Sequence, residues 1–107
     1  MGKPTAAAAD MAVQAQEASL GAVNAATPWA AFTGSFNFQL RGTFVGTVIL
    51  EVSFDGGATA APITREGGLI SFTSVATERL ENHEPGVLFR ARMTAWTSGA
   101  ALARLSQ

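Results

Sequence analysis

The chain carries one histidine, His83, and it lies in "ERLENHEPG" with Glu78, Glu81 and Glu84 close by. Carboxylates beside an imidazole are a donor set that divalent metals accept, but the spacing here matches no known cage. Glu81 and Glu84 also form a formal glycosidase pair. That chemistry requires a cleft and one carboxyl with a raised pKa, and neither is legible in these residues. The stretch reads instead as a solvated polar loop ahead of the Pro85–Gly86 turn. Cysteine and tyrosine are both absent, so disulfides, thiolate zinc sites, and Cys or Tyr nucleophiles are excluded. The expectation is a protein that is not an enzyme, with no catalytic or metal-binding residues and no cofactor.

The most patterned stretch is "SFDGGATA", Ser53 to Ala60. It nearly matches the Asp-box, S-x-D-x-G-x-T-W, a hairpin motif. Its residues suit a tight turn: Asp55, Gly56 and Gly57 tolerate positive φ. The Asp55 carboxylate can accept backbone N–H bonds across the turn, and the Ser53 and Thr59 hydroxyls can close the local network. The Trp that packs over the hairpin in the full motif is replaced by Ala60. Ser53, Asp55, Gly57 and Thr59 are therefore read as a turn motif. In sialidases such boxes lie away from the catalytic centre and repeat once per propeller blade, whereas this chain holds a single copy. A turn motif implies a turn and no activity.

The elements that must position these residues are strands. In "GSFNFQLRG", Phe36, Phe38 and Leu40 alternate with Ser35, Asn37, Gln39 and Arg41, the pattern of a half-buried strand. "TFVGTVILEVSF" continues it, with Val48, Leu50, Val52 and Phe54 expected inside and Thr47, Ile49, Glu51 and Ser53 outside. Gly42 and Gly46 mark a bend or bulge. A short strand is expected around Ala61 to Thr64, and another in "LISFTSV". In "EPGVLFRARMTAW", Val87, Phe89, Ala91, Met93 and Ala95 are expected to face inward. "TSG" makes a three-residue turn with Gly99 in the left-handed position, and "AALARLSQ" returns as the last strand. About six strands at this spacing predict a small sandwich or barrel.

On the outer face of that last hairpin the pattern places Arg90, Arg92 and Arg104, with Arg92 and Arg104 nearly opposite. Like charges so placed need an answering acid or partner. Two readings stand: pairing with Glu51 or another surface acid within the sheet, or docking on an acidic protein surface through bidentate contacts. Trp96 falls on the same outward row as Arg92 and Thr94, beside a turn, and Trp29 sits at the edge of the domain. Trp29, Arg90, Arg92, Trp96 and Arg104 are the candidate partner-interface residues.

Composition changes at Pro28: all 7 Phe and both Trp lie after it. Residues 1–28 are read as an Ala-rich N-terminal arm and 29–107 as the sandwich domain. Helix-favouring residues run from Thr5 to Leu20, yet Met11, Val13 and Leu20 make no strong stripe. The arm is either a flexible leader or a segment ordered by a neighbouring subunit. It is not read as a signal peptide, because Asp10, Gln14, Gln16 and Glu17 interrupt its apolar run. No stretch is apolar enough to suggest a membrane-spanning helix. A net charge of −1 lacks the basic footprint of a nucleic-acid binder. Charged residues make up only 14%, below the usual quarter, which favours surface held against other protein.

"LRGTFVGTVILEVSFDGGATAAPIT" and "EPGVLFRARMTAWTSGAALARLSQ" together resemble a group of small β-sandwich virion proteins of tailed bacteriophages, of head-decoration or neck type. The resemblance rests on Gly42 to Thr59, Gly86 to Arg90, Thr94 to Gly99 and Arg104 to Gln107. It covers residues 34–107 and leaves the leader uncovered. It implies an all-β antiparallel sandwich, jelly-roll or Ig-like, without catalytic residues. It also implies a capsid decoration or cement protein on the virion exterior, assembled in the host cytoplasm. Its expected partners are the major capsid protein and further copies of itself, as a trimer or dimer, with no nucleic acid and no membrane. A carbohydrate-binding module of a tail or fibre, or a neck or tail-completion subunit, is the alternative.

Overall fold

The computed structural model describes residues 14–107. Among them are strands and turns and no helix. The long strands are β1 (Ala15–Leu20), β3 (Gly34–Arg41), β4 (Phe44–Ser53), β9 (Ala76–Asn82), β10 (Leu88–Gly99) and β11 (Ala101–Ser106). Two-residue strands fill the gaps: β2 (Ala30–Ala31), β5 (Ala61–Pro62), β6 (Thr64–Arg65), β7 (Gly68–Leu69) and β8 (Ser71–Phe72). One sheet has the order β9-β3-β11-β1, the other β2-β10-β4-β5 with β8 also on β4, and β6–β7 form a small separate hairpin. Every pairing among the described residues is antiparallel.

With β5 and β8 taken as one position, first pairs with last, second with seventh, third with sixth and fourth with fifth. That wrapping, in two four-stranded layers, is a jelly roll. It separates the two expected sandwich types in favour of the first.

The core lies between the layers. Phe36, Phe38 and Leu40 of β3 and Ala101, Ala103 and Leu105 of β11 face Val48 and Leu50 of β4 and Phe89, Ala91 and Met93 of β10, all buried. Aromatic pairs tie the layers on both flanks. Phe36 meets Phe89 at 4.7 Å between ring centroids, and Phe38 meets Phe72 at 5.2 Å. Burying each such side chain contributes about 1.5–3 kcal/mol.

Several sequence expectations are corrected. Pro28 is not a domain boundary. Ala15–Leu20, expected as arm or helix, is an edge strand paired with β11, and Leu20 is fully buried. Residues 24–31 then run along β10 as an irregular edge of the other sheet, through Asn24 N to Met93 O (2.7 Å), Met93 N to Ala25 O (2.9 Å), Thr27 N to Ala91 O (2.9 Å) and the β2 pairing. Local propensity favoured helix; the open edge of β11 and a buried slot for Leu20 outweigh it. The part of the arm reading that concerns Met1–Val13 lies outside the described residues.

"ERLEN", expected as loop, belongs to β9 and pairs along the whole of β3. Its inward row holds only Ala76 and Leu80 as apolar residues, which hid the alternation. The closing hairpin does not form. β10 and β11 belong to different sheets, and the chain crosses between them at Gly99–Ala100. In β4, Ile49, Glu51 and Ser53 are buried on the face expected to be open, while Phe54 is 67% exposed.

Three chain segments change sheets at the same end: after Leu20, between Arg41 and Phe44, and between Gly99 and Ala101. The Ala100 N–H donates to the Thr43 carbonyl (3.2 Å). Gly42 and Gly99 have φ of 104° and 76°. A Cβ on Gly42 would lie 2.7 Å from the Ala100 carbonyl oxygen, and one on Gly99 would strike the Thr43 carbonyl. Only glycine satisfies both demands.

If β1 belongs to the core, Leu20→Ala should lower unfolding free energy by about 2–5 kcal/mol. Denaturant melts check this, and a loss of only a few tenths would place β1 outside the cooperative unit.

Candidate functional site

The turn motif forms at the end of β4. Ser53, 1% exposed, accepts the Gly57 N–H at 2.9 Å and donates its hydroxyl to Asp55 Oδ1 at 2.8 Å. Asp55 Oδ1 accepts the Thr59 N–H at 2.9 Å, and Oδ2 accepts the Thr59 hydroxyl at 2.5 Å. Gly56 and Gly57 take φ of 75° and 98°. The Thr59 hydroxyl and amide, with the Ser53 hydroxyl, favour the charged carboxylate and lower the Asp55 pKa from 3.8 to about 2.

Ala60 is exposed and covers nothing. An indole does contact the hairpin, supplied by Trp29 from the strand edge across the sheet. A Cβ placed on Gly57 would lie 3.2 Å from Trp29 Cδ1 and Nε1. The Arg90 guanidinium stacks on the Trp29 ring, 4.3 Å from its centroid. Arg90 Nε in turn donates to Glu51 Oε1 at 2.8 Å. Arg92 donates to Glu51 Oε2 at 3.0 Å and to Asn24 Oδ1 at 2.8 Å. The Glu51 side chain is 5% exposed, and each Arg side chain 26%.

The structure therefore brings Trp29, Arg90 and Arg92 together and joins them to Ser53, Asp55, Gly57 and Thr59. Glu51, the alternative partner for the arginines, occupies both. Glu51 offsets one of the two positive charges, and both guanidinium groups are held by hydrogen bonds within the chain. Their physical role is to seal residues 24–29 against β10 and β4.

Trp96 and Arg104 stand apart from this cluster. Thr94 is an extra residue in β10, since Met93 pairs with Val48 and Ala95 with Thr47. This bulge reverses side-chain parity. Trp96 pairs with Gly46 and so leaves the row of Arg92 for the face of Met93 and Val48. It lies beyond the end of the sandwich, 42% exposed, its Nε1 donating to the Gly99 carbonyl at 2.8 Å. Arg104 is on the other sheet, 4.0 Å from Glu17, with Arg41 at 3.6 Å from the same carboxylate.

Sequence reasoning missed an apolar groove of about 410 Å³ along the opposite seam between the layers, lined by Val52, Pro62, Ile63, Leu80 and Val87, with Phe54 on its rim. It draws on both sheets, so no single stretch announces it. At the far end of β9, His83 and Glu81 approach only to 4.0 Å and are largely exposed. No group of three His, Cys, Asp or Glu side chains with metal-binding geometry occurs among the described residues. Asn82 organises this turn, donating to the carbonyls of Phe32 and Glu84, both at 2.8 Å.

Comparison of the chain with protein-family models, curated proteins and solved structures gives no match. Fold and site together define a small jelly-roll domain with an internally hydrogen-bonded Arg–Glu–Arg cluster and an open apolar seam.

Removing the Glu51 carboxylate leaves two half-buried guanidinium groups unanswered, so Glu51→Ala should cost about 3 kcal/mol in denaturant melts. Asp55 has a depressed pKa, so its contribution is present above the ordinary value of 3.8 and is lost as pH falls through about 2. The stability difference between the natural chain and Asp55→Asn should be constant at neutral pH and shrink across that acid window, read by thermal melts at stepped pH.

Proposed function

We propose that this chain is a structural protein of a tailed-phage particle, a capsid decoration or cement protein that binds the outer capsid surface and stabilises it. The observation that carries the reading is Phe54, 67% exposed at the rim of the apolar groove. An aromatic side chain standing open beside a concave apolar surface is the anatomy of a protein contact. A chain with only 14% charged residues fits the same use. The jelly roll recurs in viral capsid and lectin domains, which is compatible with the reading without requiring it. The resemblance to small virion proteins adds direction. Attachment then works through buried area and repeated copies, most economically as a dimer or trimer on a capsid symmetry axis. No substrate is turned over.

A carbohydrate-binding module on a tail or fibre is the second reading, favoured by the exposed indole of Trp96. Trp29 serves it poorly, being engaged by Arg90 and Gly57. Quenching of tryptophan fluorescence by a specific glycan would support it. A neck or tail-completion subunit differs from the first reading only in location.

Purified protein mixed with undecorated capsids of the phage that encodes it should co-sediment with them and raise their melting temperature. Phe54→Asp should weaken co-sedimentation about tenfold or more while leaving the domain's own melting unchanged. No sedimentation of the natural chain would overturn the decoration reading.

A further inference from the structure

Among the described residues the two sheets have four lateral edges, and they differ in how they resist pairing with another strand. β9 carries Glu78, Arg79 and Glu81 along its length. On the other sheet, β5 is two residues long and ends in Pro62, and β2 is two residues long shortly after Pro28. Charge, proline and short length are the usual defences of a sheet edge. β1 has none of them in full: it is six residues long, has no proline, and holds one charge, Glu17, already facing Arg41 and Arg104.

The direction of its backbone groups follows from the ladder. The Gln107 N–H donates to the Gln14 carbonyl at 2.8 Å, and Ser106 stands opposite Ala15. By antiparallel alternation, Gln14, Gln16, Ala18 and Leu20 direct their backbone groups at β11. Ala15, Glu17 and Ser19 direct theirs away from the sheet, and these three have no backbone partner among the described residues. Beside them the seam between the layers stays open as a groove of about 360 Å³, lined by Gln14, Gln16, Trp29, Ala31 and Phe32.

We infer that β1 is a self-association edge: two copies of this chain pair through β1, antiparallel about a two-fold axis at Ala18, and join their four-stranded sheets into one continuous sheet. The charges choose the register. Centring the pair on Glu17 would set the two carboxylates directly opposite, which is unfavourable. Centring it on Ala18 sets each Glu17 opposite the partner's Ser19, so the carboxylate faces a hydroxyl while keeping Arg104 behind it. The outward groups of Glu17 and Ser19 then exchange hydrogen bonds with those of the second copy. Small residues at 15, 18 and 19 let the strands close without steric conflict. This names the surface for the self-association that the proposed virion role uses, and rests on that role only for its biological purpose.

The test is oligomeric state in solution, measured separately from capsid attachment. The full chain should show a concentration-dependent monomer–dimer equilibrium by sedimentation velocity. Ser19→Pro removes an outward N–H and leaves the bonds to β11 intact, so it should weaken dimerisation about tenfold or more, with a melting temperature equal to the natural chain's at concentrations where both are monomeric. Hydrogen exchange on the natural chain gives an independent reading. The amides of Ala15, Glu17 and Ser19 should exchange fast in dilute solution, and those of Glu17 and Ser19 should become protected as dimer forms. If Ser19→Pro fails to fold, this exchange pattern decides alone. A chain that stays monomeric up to its solubility limit, a dimer indifferent to Ser19→Pro in a folded variant, or a dimer in which Glu17 and Ser19 stay unprotected overturns the inference. A chain that dimerises but ignores capsids removes the virion role and leaves the edge pairing standing.

Discussion

Three strand-to-strand crossings share one end of the sandwich, and they can approach each other only because positions 42 and 99 carry no side chain. The Gly42 and Gly99 backbones lie against the Ala100 and Thr43 carbonyls, in conformations with positive φ. A β-carbon at either place would force the crossings apart and, with them, the strands that they deliver. The order β9-β3-β11-β1 depends on β11 arriving between β3 and β1, and that arrival is the Gly99–Ala100 crossing. The core follows from this close approach: Leu20 and Ala101 meet in register one residue beyond the turn.

At the opposite end the chain uses hydrogen bonds and charge where it lacks apolar mass. Ser53 and Asp55 hold the turn after β4, and Trp29 lies across Gly57. Arg90 links that indole to Glu51, and Arg92 extends the link to Asn24. A buried carboxylate between two guanidinium groups is costly to desolvate, and here it serves mainly to specify which segment lies on the outer side of β10. Arg90 and Arg92, part of the expected docking patch, are thereby tied into contacts within the chain. What remains open is apolar: the seam beside Phe54 and, at the far end, Trp96.

Much of the fold was legible where alternation was strong. Phe36, Phe38 and Leu40, then Val48 and Leu50, then Val87, Phe89, Ala91 and Met93 all face inward as their period demands. The turn at Asp55 was legible too, since its network closes within seven residues of sequence. Legibility failed where the partner was distant or the apolar content low. β9 hid its inward row behind Glu78 and Asn82, and β1 hid behind alanine, whose helical preference is a few tenths of a kcal/mol per residue and yields to an open edge. Trp96 was placed on the wrong face because one added residue, Thr94, inverts everything after it.

Local residue chemistry alone determined that this chain builds period-two strands around a phenylalanine-rich core and closes one hairpin with an aspartate. These properties are set by side chains within a few positions of each other. Only the tertiary structure decided that the last two strands part company into different layers, that Trp29 reaches the Gly57 turn, and that Glu51 bonds both arginines. Each of those depends on which backbone edges meet. That in turn depends on the close approach of chain crossings far apart in sequence, a constraint that no local window contains.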